Sequence, residues 1–291
     1  MENKIKKNKT KKIKKIKEKK ELEIIKIIEN YINNNQELKK IFNHHKQKYK
    51  INELLKIVLF ILKTGIAYRN IAEIKTNIHW NTIYKFVKKL EKYNIIEEIY
   101  KIQSILYVNK LEQPAKYLKT DTVFILNKYG IDDVTYNPQV KKHKTMKISI
   151  ITDYFNIPIY INSYNSKIHD AEIFSNDIKK FHEKFPTINK KIILGDTAYD
   201  SIKLSSEVKI ILDSELLSPK NKRNIKDKIK LQKIEYSLIE KQILKSRNGV
   251  EYTFNKFKKY KRIQLRYDKY IKFFNFYFYL AALDILMNQN F

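Results

Sequence analysis

From Glu21 to about Tyr107, apolar residues recur at helical spacing. Ile24, Ile25, Ile28 and Ile32 fall on one stripe, and Leu54, Leu55, Val58, Leu59 and Leu62 on another. Gly65, after Lys63 and Thr64, predicts a helix end. A short helix over Tyr68–Lys75, a polar turn Thr76–His79 and a helix over Asn81–Tyr93 follow. The last carries Ile83, Tyr84, Phe86, Val87 and Leu90 on its apolar side. Two helices joined by a short turn, the second bearing Lys85, Lys88 and Lys89, suggest a helix-turn-helix that contacts DNA. A purely structural helical bundle has the same pattern, so spacing leaves both readings open.

The period changes at Pro114. Tyr117–Asn127 is rich in apolar and β-branched residues, and Met146–Asp153 alternates with Met146, Ile148 and Ile150 on one face. Ile157–Ser163 follows a turn over 153–156, so the last two segments predict a hairpin. Asp170–Phe181 reads as a helix, with His169-Asp170 at its N-cap. Lys191–Leu194 reads as a short buried strand ending at Gly195-Asp196. The remainder, to Phe291, reads as mainly helical. Strands, a crossover helix, another strand and further helices predict an α/β domain with a mixed sheet. The expected division is a basic, disordered arm over 1–20, a helical domain over 21–110 and the α/β domain over 115–291.

Charge adds a partner class. Among 291 residues, 60 are Lys or Arg and 31 are Asp or Glu, a net charge of +29. Lys, Ile and Asn dominate, as in coding drift of an AT-rich genome, yet a field of this size attracts polyanions whatever its origin. Nucleic acid is the first expectation and an anionic membrane surface the second. Residues 1–20 alone hold 11 Lys against 2 Glu. There is no cysteine, which excludes a disulfide scaffold, a thiolate zinc site and a cysteine nucleophile. With 4 glycines, a glycine-rich phosphate loop is also excluded. The apolar tail Tyr270–Met287 is interrupted by Lys272 and Asp284, too short a run to span a bilayer. The N-terminus lacks the apolar core of a secretory signal. A soluble, intracellular protein without a membrane partner is expected.

Three carboxylates stand out by position. Asp121 lies inside the first strand beside Val123 and Ile125, where a charge is costly unless paired or metal-bound. Asp196 follows the apolar run 192–194, at the carboxyl end of a strand, where open α/β sheets place ligands. Glu251 sits on a helix with Val250, Phe254 and Phe257 at helical spacing. Acids from two strands and a helix can hold Mg²⁺, and two such ions can activate an attacking oxygen and stabilise a leaving one. Each has a plain alternative: Asp121 as an edge-strand acid or partner of Lys119, Asp196 as a turn cap, Glu251 paired with Lys245 or Lys258. Asp153 reads as a turn acid, Asp170 as a helix cap, and Asp200 as a turn cap or a support for Asp196. Gly195 and Gly249, beside two of the acids, suggest close backbone approach.

The segment Arg247-x3-Glu251-x6-Lys258, followed by Lys261-Arg-Ile-Gln-Leu-Arg-Tyr-Asp-Lys269, resembles the signature of DDE transposases of bacterial insertion sequences, of the kinds numbered four and five. Leu244 stands where that signature has Tyr. Upstream, Leu118-Lys-Thr-Asp121, Lys147-Ile-Ser-Ile-Ile-Thr-Asp153, Ser166-Lys-Ile-His-Asp170 and Leu194-Gly-Asp-Thr-Ala-Tyr-Asp200 fall in the family's order. The segments 61–69 and 80–86 are similar to its N-terminal DNA-binding region.

The resemblance implies an RNase H-like catalytic domain with Asp121, Asp196 and Glu251 as catalytic acids and metal ligands for two Mg²⁺ (or Mn²⁺) ions. It implies phosphodiester hydrolysis at transposon ends, then attack of the freed 3′-hydroxyl on target DNA. Double-stranded DNA is the implied partner, with a homo-oligomer possible in the complex and a place in cytoplasm and nucleoid, or in a nucleus if the host is eukaryotic. Arg247 and Lys258, and then Lys220, Lys222, Arg223, Lys85 and Lys88, are candidate DNA contacts. The rival readings are a non-cutting DNA binder descended from such an enzyme, a nuclease that does not join strands, and a lysine-rich RNA-binding or structural protein.

Overall fold

A computed structural model describes residues 2–43, 48–74, 76–111, 117–138, 140, 143–188, 190–221 and 236–288, with side chains from residue 18 onward. The chain forms two compact units: Met1–Ile102 with Tyr260–Ile263 and Lys272–Phe291, and Gln103–Lys259 with Gln264–Ile271.

The first unit is helical. It contains α1 (Glu2–Asn34), α2 (Gln36–Phe42), α3 (Ile51–Thr64), a 3-10 turn over Tyr68–Ile74, α4 (Trp80–Lys92) and the start of α5 (Ile95–Lys110). The predicted stripes are buried: Ile24, Ile28 and Ile32 of α1, and Leu54, Leu55, Val58 and Leu62 of α3. Gly65 ends α3 at φ +70°, the left-handed conformation that favours glycine. Residues 2–20, within the segment expected as a basic arm, form the beginning of α1. Its Lys and Glu residues are good helix formers, and the helix runs unbroken until Asn35, whose side chain caps α2 by accepting from the Leu38 N–H at 3.0 Å.

The apolar tail is the last helix, α11 (Ile271–Met287), and it packs in the first unit with Phe274, Tyr277, Leu280 and Leu283 buried. Asp284, an acid in this setting, accepts a 2.7 Å hydrogen bond from the Tyr260 hydroxyl. Among the described residues, no helix is long and apolar enough to cross a membrane.

The second unit is built on a seven-stranded mixed sheet: β1 (Tyr117–Asn127), β2 (Thr135–Asn137), β3 (His143–Thr152), β4 (Pro158–Asn165), β5 (Ile192–Leu194), β6 (Glu215–Leu217) and β7 (Leu265–Arg266). β1 lies between β3, antiparallel, and β5, parallel. β4 and β2 pair with the far side of β3, β6 extends the sheet beyond β5, and β7 pairs with the end of β1. The helices are α6 (Asp170–Lys184), α7 (Ile202–Leu212), α8 (Leu238–Ser246) and α9 (Gly249–Phe257); the short α10 (Lys261–Gln264) crosses the boundary between the units. This is the expected α/β, RNase H-like mixed sheet flanked by helices, accompanied by an all-α N-terminal region. The described chain beyond Asp196 is mainly helical, as expected, and adds the two short strands β6 and β7. Runs of three and two residues are too short to show a period of two.

Candidate active site

Because β1 is central, Asp121 is not an edge-strand acid. In the parallel pair, Lys119 faces Leu194. Asp121 stands two residues onward along β1 and Asp196 two residues beyond the end of β5, near enough that the Asp196 charge raises the Asp121 carboxyl. β5 ends at Leu194, and the chain then turns so that the Asp196 carboxylate accepts from the Ala198 N–H at 2.7 Å, capping a 3-10 turn over Thr197–Tyr199. The cap reading and the site reading therefore describe the same side chain. A Cβ at Gly195 would run into the ring of Tyr199, so the expected close approach there is made by a buried tyrosine beneath the acids. Burial, then the fields of Asp121, Asp170 and Asp196, raise the Tyr199 hydroxyl well above its ordinary pKa.

Asp121 is the strained member. Burial pushes its carboxyl from 3.8 up to about 6, reinforced by Asp196 and Asp170. Its own Thr122 N–H at 2.8 Å and the Arg247 guanidinium at 3.4 Å pull the other way without cancelling the rise. A folded-state pKa above the unfolded one means the proton is held more tightly in the native protein. Stability is therefore full below about pH 4 and is lost as pH rises through about 6. Without divalent ions, Asp121→Asn should be more stable than the parent at pH 8 by about 2–3 kcal/mol, converging with it near pH 4. Urea unfolding at both pH values checks this, and equal stability at pH 8 refutes it.

Arg247, read as a DNA contact, ends α8 and pairs with Asp121; Asp121 does not pair with Lys119. Glu251 lies in the first turn of α9, exposed, on a helix that buries Val250, Thr253, Phe254 and Phe257 and packs on β1. Lys258 follows this helix and is exposed. Lys220 forms a 2.9 Å ion pair with Asp200, whose other oxygen takes the Asn221 N–H at 2.8 Å. Lys222 and Arg223 lie outside the described residues. Lys85 and Lys88 are exposed on α4, across from its buried face.

Among the described residues, no group of three or more acids and histidines stands close enough to hold a metal ion. The donor chemistry still suits a hard cation. Asp121 and Asp196 are interacting carboxylates, and burial together with the Asp196 charge makes the first of them resist ionisation.

Several partners were not visible in the sequence. Asp170 is not the cap of α6; His169 holds that position, and Asp170 accepts from Lys147 at 2.9 Å and Thr122 at 2.8 Å. Thr122 points to the sheet face opposite Asp121, so this acid acts from the other side. Asp153 is a turn acid as read, but fully buried, accepting from the Ile157 N–H at 2.8 Å and from the Tyr107 hydroxyl. Lys119 and Lys147 are almost wholly buried in β1 and β3. A lysine inside an apolar strand was the available signal for both.

The sheet and its helices define an RNase H-like α/β protein. A family model described as the transposase DDE domain matches residues 112–283, more than half of the chain. The chain belongs to this family of transposase domains. No curated protein matches the sequence. Among solved structures, the piggyBac transposase synaptic complex with hairpin DNA superposes with a TM-score of 0.52 over 91% of this chain and 70% of that one, at 8% identity, a likeness of fold alone. The Mos1 strand transfer complex (TM-score 0.28, 11% identity, 78% of this chain and 82% of that one) and the Mos1 mariner paired end complex with Mn (0.26, 10%, 77% and 81%) match too weakly to bear on the fold.

Proposed function

We propose that the protein cuts phosphodiester bonds at transposon ends and joins the freed 3′-hydroxyl to target DNA, with Asp121, Asp196 and Glu251 as its catalytic acids. The observation that carries this reading is the electrostatic coupling of Asp121 to Asp196, which follow the parallel pair β1–β5 two residues beyond its last register position, while α9 packs on β1. Asp121 and Asp196 would hold divalent ions, with Glu251 supplying the third carboxylate. Bound there, Mg²⁺ or Mn²⁺ supplies Lewis-acid activation of the attacking oxygen and charge stabilisation of the leaving one. Arg247 offers its guanidinium to the buried Asp121 and, one turn before Glu251, is placed to meet a phosphate once that carboxylate has another cation. Lys258, Lys85 and Lys88, exposed and cationic, would contact the DNA backbone, and a charge of +29 would make that binding weaken steeply with salt. The working form would be a homo-oligomer on paired DNA ends, acting where the DNA is.

The test is incubation of purified protein with duplexes carrying the element's own ends and Mg²⁺. Nicked ends followed by strand-joined product support the reading, and cleavage that persists in EDTA overturns it. A non-cutting DNA binder is favoured by Leu244 in the signature and by the lack of three converged acids among the described residues. It predicts tight binding of the same ends with no cleavage. Cleavage without joining would mark a plain nuclease.

A further inference from the structure

The catalytic reading leaves open what fixes Glu251, an exposed side chain at the start of a nine-residue helix, relative to a strand. On β1, Lys119 shares a face with Asp121, two residues away. Its ammonium does not approach that acid. It donates to the Tyr154 carbonyl at 2.9 Å and to the Asn156 side-chain oxygen at 2.8 Å, both in the β3–β4 turn, and lies over the Tyr154 ring. The turn is closed by Asp153, whose N–H and carbonyl bond to Ile157 and Asn156 and whose buried carboxylate binds the Ile157 N–H and the Tyr107 hydroxyl. Asn156 is left-handed at φ +62°, a conformation asparagine tolerates.

Helix α9 is seated on this turn at two points, one helical turn apart. The buried Thr253 hydroxyl donates to the Asn156 carbonyl at 2.9 Å. Gly249 lies so close to the Asn156 side-chain oxygen that a Cβ there would overlap it. The two contacts bracket Glu251, two residues from each. One asparagine thus touches the strand of Asp121 through Lys119 and the helix of Glu251 through Gly249 and Thr253.

We propose that Lys119 and Asn156 are positioning residues: the β3–β4 turn is a bracket that fixes the start of α9 on β1 and so sets the distance from Glu251 to Asp121. This rests on the catalytic reading above. It makes Gly249 a requirement of close approach, and it assigns the buried Lys119 to neither DNA nor metal.

The test uses the full chain with Asn156→Ala, Asn156→Gly and Asn156→Asp. Glycine keeps the left-handed turn and removes only the side chain; aspartate keeps an oxygen for Lys119. Hydrogen exchange without divalent ions should be faster at the amides of 249–257 in the Gly variant and unchanged elsewhere in the sheet. The Mn²⁺ concentration for half-maximal binding, followed by paramagnetic resonance, should rise about 10–100-fold in the Ala and Gly variants. Asn156→Asp should restore both towards the parent. Parent-like exchange in Asn156→Gly, or faster exchange with unaltered Mn²⁺ dependence, overturns the proposal. Glu251→Gln alone separates the two ideas. If it cleaves normally, the catalytic assignment of Glu251 fails, while the exchange measurement still reports whether the bracket holds the helix.

Discussion

Asp121→Asn is expected to reduce divalent-ion-dependent strand cleavage by about 10³-fold or more while leaving DNA binding within a factor of two or so of the parent. The amide keeps the shape of the carboxyl and its contact with the Thr122 N–H region, but it has no charge and is a poor ligand for a hard cation. The same loss is expected for Asp196→Asn and Glu251→Gln. Cleavage of end-containing duplexes at saturating Mg²⁺, with binding followed by gel shift, measures both quantities. Cleavage retained in any one variant removes that residue from the site. The Asn variant at 121 carries a second signature: it loses activity while gaining stability at pH 8, because burial beside Asp196 makes the ionised carboxylate costly in the folded protein. A residue kept for packing would lose both together.

Arg266→Ala is expected to destabilise the protein by about 3–5 kcal/mol in urea unfolding. The Arg266 side chain is wholly buried. It donates to the Asp132 carbonyl at 2.7 Å, the Asp268 carbonyl at 3.1 Å and the Lys269 carbonyl at 3.2 Å, and it pairs with the Asp132 carboxylate, which also accepts the Ile271 N–H at 2.8 Å. The carboxylate is partly in solvent, so charge attraction contributes the smaller part. The larger part is the set of carbonyls left without a donor when the guanidinium is removed. Gly130 fits this arrangement, since a Cβ there would strike Asn127 and the guanidinium. Arg266→Lys should recover little, because a single ammonium cannot reproduce the planar fork. A loss below about 1 kcal/mol for the Ala variant would show that water replaces these bonds readily.

The sequence revealed those elements whose chemistry is local. The ends of β1 and the start of α6 lie where β-branched, apolar composition and the His169-Asp170 step put them, because composition and local turns are properties of neighbours in the chain. Gly65 and the apolar stripe of α3 were legible for the same reason. The candidate site was read as three positions, through the resemblance of the signature around Glu251, and the parallel pairing of β1 with β5 brings the chain to within two residues of Asp121 and Asp196. What stayed hidden depends on residues distant in sequence. The pairing of Arg247 with Asp121 spans 126 positions and that of Lys119 with Asn156 spans 37. No spacing rule joins such partners; only the folded sheet does. The short β6 and β7 are strands because β5 and β1 offer them open edges, and their own residues carry no alternating pattern.

The interleaving of the two units has a practical outcome for anyone dividing the gene. The helical unit closes with residues from the far end of the chain: Tyr277 meets the Tyr68 hydroxyl at 2.6 Å, Phe273 packs against Tyr84, and Tyr279 against Tyr100. A fragment cut off before the sheet would display the bare seats of these aromatic rings and invite aggregation. Topologically, the sheet is a guest inserted into a helical host, so an excised helical module would have to be spliced across the gap with a short linker, and tags are better fused with both ends of the host left intact.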